Sequence, residues 1–357
     1  MEKSKMIIIS NEKNWMEQTA KDQLAAVSQL EGVIKAVGLP DLHAGKSPIG
    51  MAVLTEERLY PHLIGNDIGC GMGLFETHVK LKKFKQDKWV TKLNHIRQLA
   101  DIWSDNPYEE ESPIRDLGTI GSGNHFAEFQ CVEKVYHEAY FQKLGFEKDK
   151  VFLLVHSGSR GYGQEILKAH FILEGLTARS DEAISYLQEH DKALLWARRN
   201  RKLVAQKLLQ QVGVSDEVVT RIDCYHNFLE QTEEGFIHRK GATSAKVGAI
   251  IIPGSRGDLS YVCMPKEETG IALDSLSHGA GRRWARSLCK SRINNKYDRD
   301  TIRCTSLKSK VVCHDTELLF QEAPEAYKNI EQIIASLVMY ELIDVVATLR
   351  PLITYKG

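Results

Sequence analysis

At 357 residues the chain is long enough to bury one large core or two moderate ones, and 43% apolar with 26% charged residues is an ordinary globular balance. Its 47 basic and 47 acidic residues cancel, which argues against a whole-molecule attraction to nucleic acid, and no apolar run approaches the roughly 20 residues of a membrane helix. Seven scattered cysteines, odd in number and without a Cys-x-x-Cys pair, argue against a disulfide framework and point to a reducing cytoplasm.

In chain order, Met6-Ile7-Ile8-Ile9 is too short for a secretory signal and reads as a first strand. Residues 14–30 carry helical spacing, and residues 33–37, 51–54, 73–77 and 151–155 read as strands separated by glycine turns. Residues 87–100 are a second helical piece. The texture changes between about 164 and 215, where apolar spacing predicts two or three amphipathic helices. Strands and glycine turns return over 221–265, residues 330–349 predict one long apolar helix, and a mixed tail closes the chain. No linker or repeat is visible. These elements predict a single α+β domain over residues 1–357, with packed β-sheets flanked by helices and a helical insertion at about 164–215.

Glycine-rich words carry the chemistry. Asp67 and Cys70 lie in Gly65-Asn66-Asp67-Ile68-Gly69-Cys70-Gly71, His125 in Gly121-Ser122-Gly123-Asn124-His125, and His156 in His156-Ser157-Gly158-Ser159-Arg160-Gly161. His226 opens His226-Asn227, and His278 opens His278-Gly279-Ala280-Gly281-Arg282. One thiolate, one carboxylate and several imidazoles suit a divalent transition metal better than magnesium or calcium, and one sulfur can serve two ions. Each histidine alone is more often a core group; all of them standing in such words is not the ordinary pattern. Glu128, three positions after His125, is expected on the same helical face, and Asp223 or Asn227 is expected to fix the tautomer of His226. His278 stands before an expected basic helix start, a setting for an anion. From Gly281 to Lys310 ten basic residues face only Asp298 and Asp300, enough to guide a polyanion toward His278. Neither a Walker P-loop nor a Rossmann fingerprint is present.

Ten words in one order, at residues 40–45, 48–50, 67–71, 121–128, 156–161, 226–227, 238–243, 253–260, 277–282 and 356–357, resemble the RtcB-type RNA-splicing ligases over nearly the whole chain. The resemblance implies an enzyme that uses two manganese ions and GTP to join RNA 3′-phosphate or 2′,3′-cyclic phosphate ends to 5′-hydroxyl ends. It implies that Cys70 bridges the ions, that Asp67 and His226 complete one site, and that His125 and His156 complete the other. His278 would be the nucleophile that carries GMP, with Asp41 orienting it or taking its proton. Nucleotide contacts would come from Asn124, His125, Phe126, Ala127, Glu128, His226, Asn227, Pro253, Gly254, Ser255, Arg256, Ser260, His278, Gly279, Ala280, Gly281 and Lys356. RNA ends and GTP are the expected partners, with no membrane; a protein activator is neither required nor excluded.

Two features depart from the family pattern. Ala44-Gly45-Lys46-Ser47 and Gly69 replace more usual residues, and the short length resembles a compact bacterial paralogue, serving RNA repair or splicing. The rival readings are a dinuclear metal phosphoesterase and an RNA-end binding adaptor without ligation.

Overall fold

Successive residues of a strand face opposite sides of its sheet, and here both sides are apolar. In strand Lys150–Ser157, Phe152 and Leu154 join one buried cluster while Leu153 and Val155 join another. Leu74 and Phe75 divide the same way in strand Gly71–Lys80. A sheet with two apolar faces needs cover on both. A second sheet covers one face through Val37, Leu39, Ala52 and Leu54. Helices Gln86–Asn94 and Asp181–Val212 cover the other through Trp89, Leu93, Val204 and Leu208. The computed structural model describes residues 5–96, 99, 116–298 and 300–357.

The larger sheet is antiparallel along the strands Ile250–Pro253, Ser260–Pro265, Ile343–Lys356, Phe126–Val135, Lys150–Ser157, Gly71–Lys80 and Val218–Tyr225, in that spatial order. Strand Lys310–Cys313 adds in parallel beside Ile343–Lys356. The smaller sheet runs Met6–Ile8, Val33–His43, Ile49–Thr55, Gly235–Lys240 and Asn227–Thr232. Helix Gln18–Ser28 packs Ala20 and Leu24 on its outer face. The result is one mixed domain of packed sheets flanked by helices, as the α+β reading expected. No helix among the described residues is long and apolar enough to cross a membrane.

One helical expectation is met and one is corrected. Residues 164–212 hold two helices, Arg160–Ala169 and the 32-residue Asp181–Val212, within the two or three expected. Ser180 caps that helix by accepting from the Ala183 N–H at 3.1 Å, and Gly213 ends it in a left-handed conformation, so nothing interrupts the run between them. The expected helix at 330–349 is a helix only over Ile330–Met339, after which Ile343–Lys356 becomes the longest strand. Glu341 turns the chain at φ 54°, and the β-branched Ile343, Val345, Val346 and Thr348 then favour the pleat. The helix expected over 87–100 is Gln86–Asn94; residues 97, 98 and 100 lie outside the described residues.

Gly71 shows how tightly the sheet is closed at the end that matters below. A Cβ there would lie 2.3 Å from the Cys224 carbonyl oxygen on the neighbouring strand. Gly71→Ala is therefore expected to destabilise the protein by about 2 kcal/mol or more in thermal or denaturant unfolding. Gly270→Ala, which meets nothing within 4 Å, serves as the control. Equal stability of the two variants would contradict this close approach.

Candidate active site and metal centre

Strand register assembles the site. Gly71 pairs with Ser157 on one side and Tyr225 on the other, and His156 pairs with Met72 and Phe126. Cys70 and His125 immediately precede their strands, His156 is the penultimate residue of its own, and His226 immediately follows its strand. Four consecutive strands thus deliver one side chain each to the same sheet end. Cys70 Sγ lies 3.3 Å from His125 Nε2 and 3.2 Å from His156 Nε2, and His156 Nε2 lies 3.2 Å from His226 Nε2. Asp67 joins from the preceding turn, with Oδ2 2.8 Å from His125 Nε2.

These atoms form two groups that share the sulfur. One is Asp67, Cys70 and His125; the other is Cys70, His156 and His226, with the candidate ligand atoms of each group all within 4.8 Å of one another. The membership is the expected set but the division differs, since Asp67 stands with His125 and His226 with His156. The donors fit divalent transition metals. His125 Nδ1 lies 3.0 Å from the Ile120 carbonyl and His156 Nδ1 lies 3.2 Å from the Asn124 carbonyl. A carbonyl only accepts, so both rings carry their proton on Nδ1 and, when neutral, point bare Nε2 lone pairs inward. Burial holds His156 and His226 well below the usual histidine range and so favours the neutral form. A single S–H cannot satisfy every lone pair that converges here, whereas a cation can. Burial, then the Asp67 charge, pushes the Cys70 thiol up, so the sulfur ionises readily only with a cation beside it.

A buried guanidinium ties the turn before Cys70 to the end of the His156 strand. Arg201, on the long helix, donates through Nη1 to the carbonyls of Gly69 and Ser157, both at 2.9 Å, and pairs with Asp223 at 2.5 Å. Asp223 is thereby committed to Arg201. Asn227 receives the Gly241 N–H at 2.9 Å and donates to the Asp67 carbonyl at 3.3 Å. Neither fixes the tautomer of His226, whose Nδ1 has no partner; this expectation is corrected.

His278 stands beside this cluster, its ring 4.7 Å from that of His226. Its Nδ1 lies 2.6 Å from Asp41 Oδ2, and its backbone N–H donates to the same oxygen at 3.3 Å. Burial would raise the Asp41 carboxyl, but the His278 charge and hydrogen bond hold it below the usual range. In the neutral ring, a carboxylate that accepts from Nδ1–H leaves Nε2 with its lone pair. Gly281 makes the approach possible: at φ 69°, a Cβ on it would strike the Asp41 carbonyl oxygen at 2.3 Å. The helix expected at His278 begins only at Arg286, after an irregular turn.

A cavity of about 1020 Å³ opens on His278 and His156. From the expected nucleotide contacts, Asn124, Phe126, Glu128, residues 253–256, residues 278–281 and Lys356 line it. His125 lines a smaller cavity of about 460 Å³ beyond Asp67. Strand alternation turns the Ala127 side chain into the core behind the sheet. His125 and Glu128 share no helical face, because a strand begins at Phe126. Glu128 instead accepts from Thr354 Oγ1 at 2.5 Å and from Gln130 Nε2 at 2.8 Å, and Gln130 also reaches Ser260 Oγ at 2.8 Å.

Sequence reasoning missed several partners. Buried Glu322 binds Arg282 at 2.9 Å, receives the Tyr327 hydroxyl and lies 3.5 Å from Lys356. Lys328 donates to the Pro40 and Leu42 carbonyls around Asp41, and burial lowers its ammonium to about 8. No glycine word surrounds Glu322 or Lys328, so no local signal marked them. His43, two residues from Asp41 in the first word, was legible; it stacks on His278 at 6.5 Å.

Burial raises the Glu128 carboxyl to about 7, only partly offset by its hydrogen bonds. The folded protein therefore holds this proton while the unfolded chain releases it near 4.5, and stability falls as pH rises between those values. Against Glu128→Gln, the wild type is expected to lose unfolding free energy from about pH 4.5 to about pH 7 and to level off above. A difference independent of pH would show that Glu128 ionises as in water.

A family model described as tRNA-splicing ligase RtcB matches residues 23–101 and 98–357. The RNA-splicing ligase RtcB2 of Escherichia coli is 42% identical over 98% of this chain and 95% of its own length. The RNA-splicing ligase RtcB of Escherichia coli strain K12 is 28% identical over 96% and 95%, and the tRNA-splicing ligase RtcB of Nanoarchaeum equitans 27% over 94% and 91%. With the family model matching nearly from end to end and a relative at that identity over nearly all of its length, this chain belongs to the RtcB family.

Proposed function

We propose that this protein is an RNA ligase that joins 3′-phosphate or 2′,3′-cyclic phosphate ends to 5′-hydroxyl ends, with GTP as the activating nucleotide and two manganese ions as cofactors. The observation that carries the reading is an imidazole held by a buried carboxylate, His278 on Asp41, with its ring 4.7 Å from His226 of a pair of ligand groups that share the Cys70 sulfur, and with His278 and His156 lining one cavity. A phosphoesterase would use the same imidazole as a general acid and form no bond from it to phosphorus, which is the difference that guanylylation tests.

Asp67, Cys70 and His125 would hold one ion, and Cys70, His156 and His226 the other. When bound, the ions neutralise phosphate charge and align an in-line displacement. Asp41 takes the hydrogen bond of His278 Nδ1–H, and the Nε2 lone pair attacks the α-phosphorus of GTP. A nitrogen–phosphorus bond forms, the bond from the α-phosphorus to the bridging oxygen breaks, and pyrophosphate leaves. An oxygen of the RNA 3′-phosphate then displaces His278 from phosphorus and takes the GMP. The 5′-hydroxyl oxygen attacks the activated 3′-phosphorus, its proton passes to solvent, and GMP departs as the phosphodiester forms. A cyclic phosphate is opened by water first. Glu128 offers a carboxyl oxygen to the N–H edge of guanine, and Asn124, Ser255, Ala280, Gly281 and Lys356 frame the nucleotide in the same cavity.

Incubation with α-labelled GTP and manganese is expected to leave acid-labile label on the wild type and at least about 100-fold less on His278→Ala. Equal labelling would remove His278 from the chemistry, and no labelling of either would favour the phosphoesterase. Cys70→Ala is expected to lose most bound manganese, measured by elemental analysis, together with joining of 3′-phosphate and 5′-hydroxyl oligonucleotides. Full occupancy in that variant would reduce Cys70 to core filling.

A further inference from the structure

We propose that the turn formed by Phe171, Ile172 and Leu173 is a stacking rim for an unpaired base of the RNA end that enters the cavity; this deepens the ligase reading and rests on it. Three consecutive large apolar side chains stand exposed there, at 56%, 41% and 64%. Folding does not bury them, and a water-facing surface carries such a run only where a ligand or partner covers it.

Their position identifies the ligand. Phe171 and Leu173 line the same cavity as His278 and His156. The Phe171 ring lies 6.0 Å from the His62 ring, and His62 meets Tyr60 edge-on at 5.6 Å. Tyr60 is buried, so the aromatic file runs from the core outward and braces the rim from behind. Lys46, Lys168 and Arg283, all exposed, stand around the same opening, with Arg286, which pairs with Glu322 at 3.4 Å. An apolar ring with aliphatic neighbours, framed by cations, matches a ligand with flat bases on a polyanionic backbone. A partner helix would use the apolar patch and leave Lys46, Lys168 and Arg283 without a role. An RNA end held only by its phosphate can swivel about that point, whereas one stacked base fixes the direction in which the phosphate is presented.

The test uses the full-length protein with manganese and no GTP, and RNA oligonucleotides that carry 2-aminopurine at each of the last three positions before the 3′-phosphate. In wild type, fluorescence is expected to be quenched at one of these positions. Phe171→Ala is expected to abolish that quenching and weaken RNA binding roughly tenfold, within the range for losing one base–aromatic stack. Phe171→Tyr is expected to restore both. An abasic site at the same position should weaken wild-type binding by a similar factor and the alanine variant no further. Because Phe171 is exposed, an unchanged thermal midpoint serves as the fold control. Unaltered affinity and fluorescence in Phe171→Ala would overturn the proposal. So would loss of self-association with RNA binding intact, which assigns the patch to a second copy of the chain. The readout needs no turnover, so a wild type that quenches the probe but never acquires label from GTP would sink the ligase reading and leave the rim standing.

Discussion

One sulfur facing inward-pointing nitrogens and a carboxylate is the constraint on which this molecule is built. Cys70 has two imidazole nitrogens within 3.3 Å of its Sγ, with Asp67 and His226 immediately behind them. Such a gathering of electron pairs in a dry interior is unfavourable without positive charge between them. Holding it open therefore requires rigid elements. Four adjacent strands supply them by register, and Arg201 ties the turn before Cys70 to the end of the strand that carries His156. Large apolar clusters on both faces of that sheet make the register costly to slip, because a one-residue shift would exchange the two cores.

The second centre follows the same logic with a different charge. His278 approaches the metal-ligand cluster from the cavity side, and buried Asp41 fixes its ring from behind. Around the cavity, carboxylates and cations are paired across elements distant in sequence: Glu322 with Arg282 and Lys356, and Lys328 with the carbonyls flanking Asp41. The chain's last strand is essential to this arrangement. It brings Thr354 to Glu128 and Lys356 to Glu322 from the middle of the larger sheet.

Much of the site was legible because its side chains sit in glycine-rich words, where close backbone approach leaves a local trace. Asp67, Cys70, His125, His156 and His226 do converge, and Asp41 does meet His278. What the words could not reveal is pairing across space. Asp67 stands with His125 because their turns face each other, a fact of sheet order that no spacing encodes. Asp223 and Asn227 looked like partners of His226 by adjacency, yet a long-range guanidinium and a backbone amide claim them. Strand alternation turns the side chain of Ala127 into the core. The fold was readable in its strands and in its flanking helices. It was misread at residues 343–349, where an apolar run continues from a helix into a central strand and only the turn at Glu341 separates the two.

The central claim is a pair of metal sites sharing one sulfur at the end of four neighbouring strands. Anomalous diffraction from crystals of the protein grown with manganese tests it most directly. The account predicts two peaks flanking Cys70 Sγ, one toward Asp67 and His125 and one toward His156 and His226. Peaks elsewhere on the surface, with none at Cys70, would contradict it.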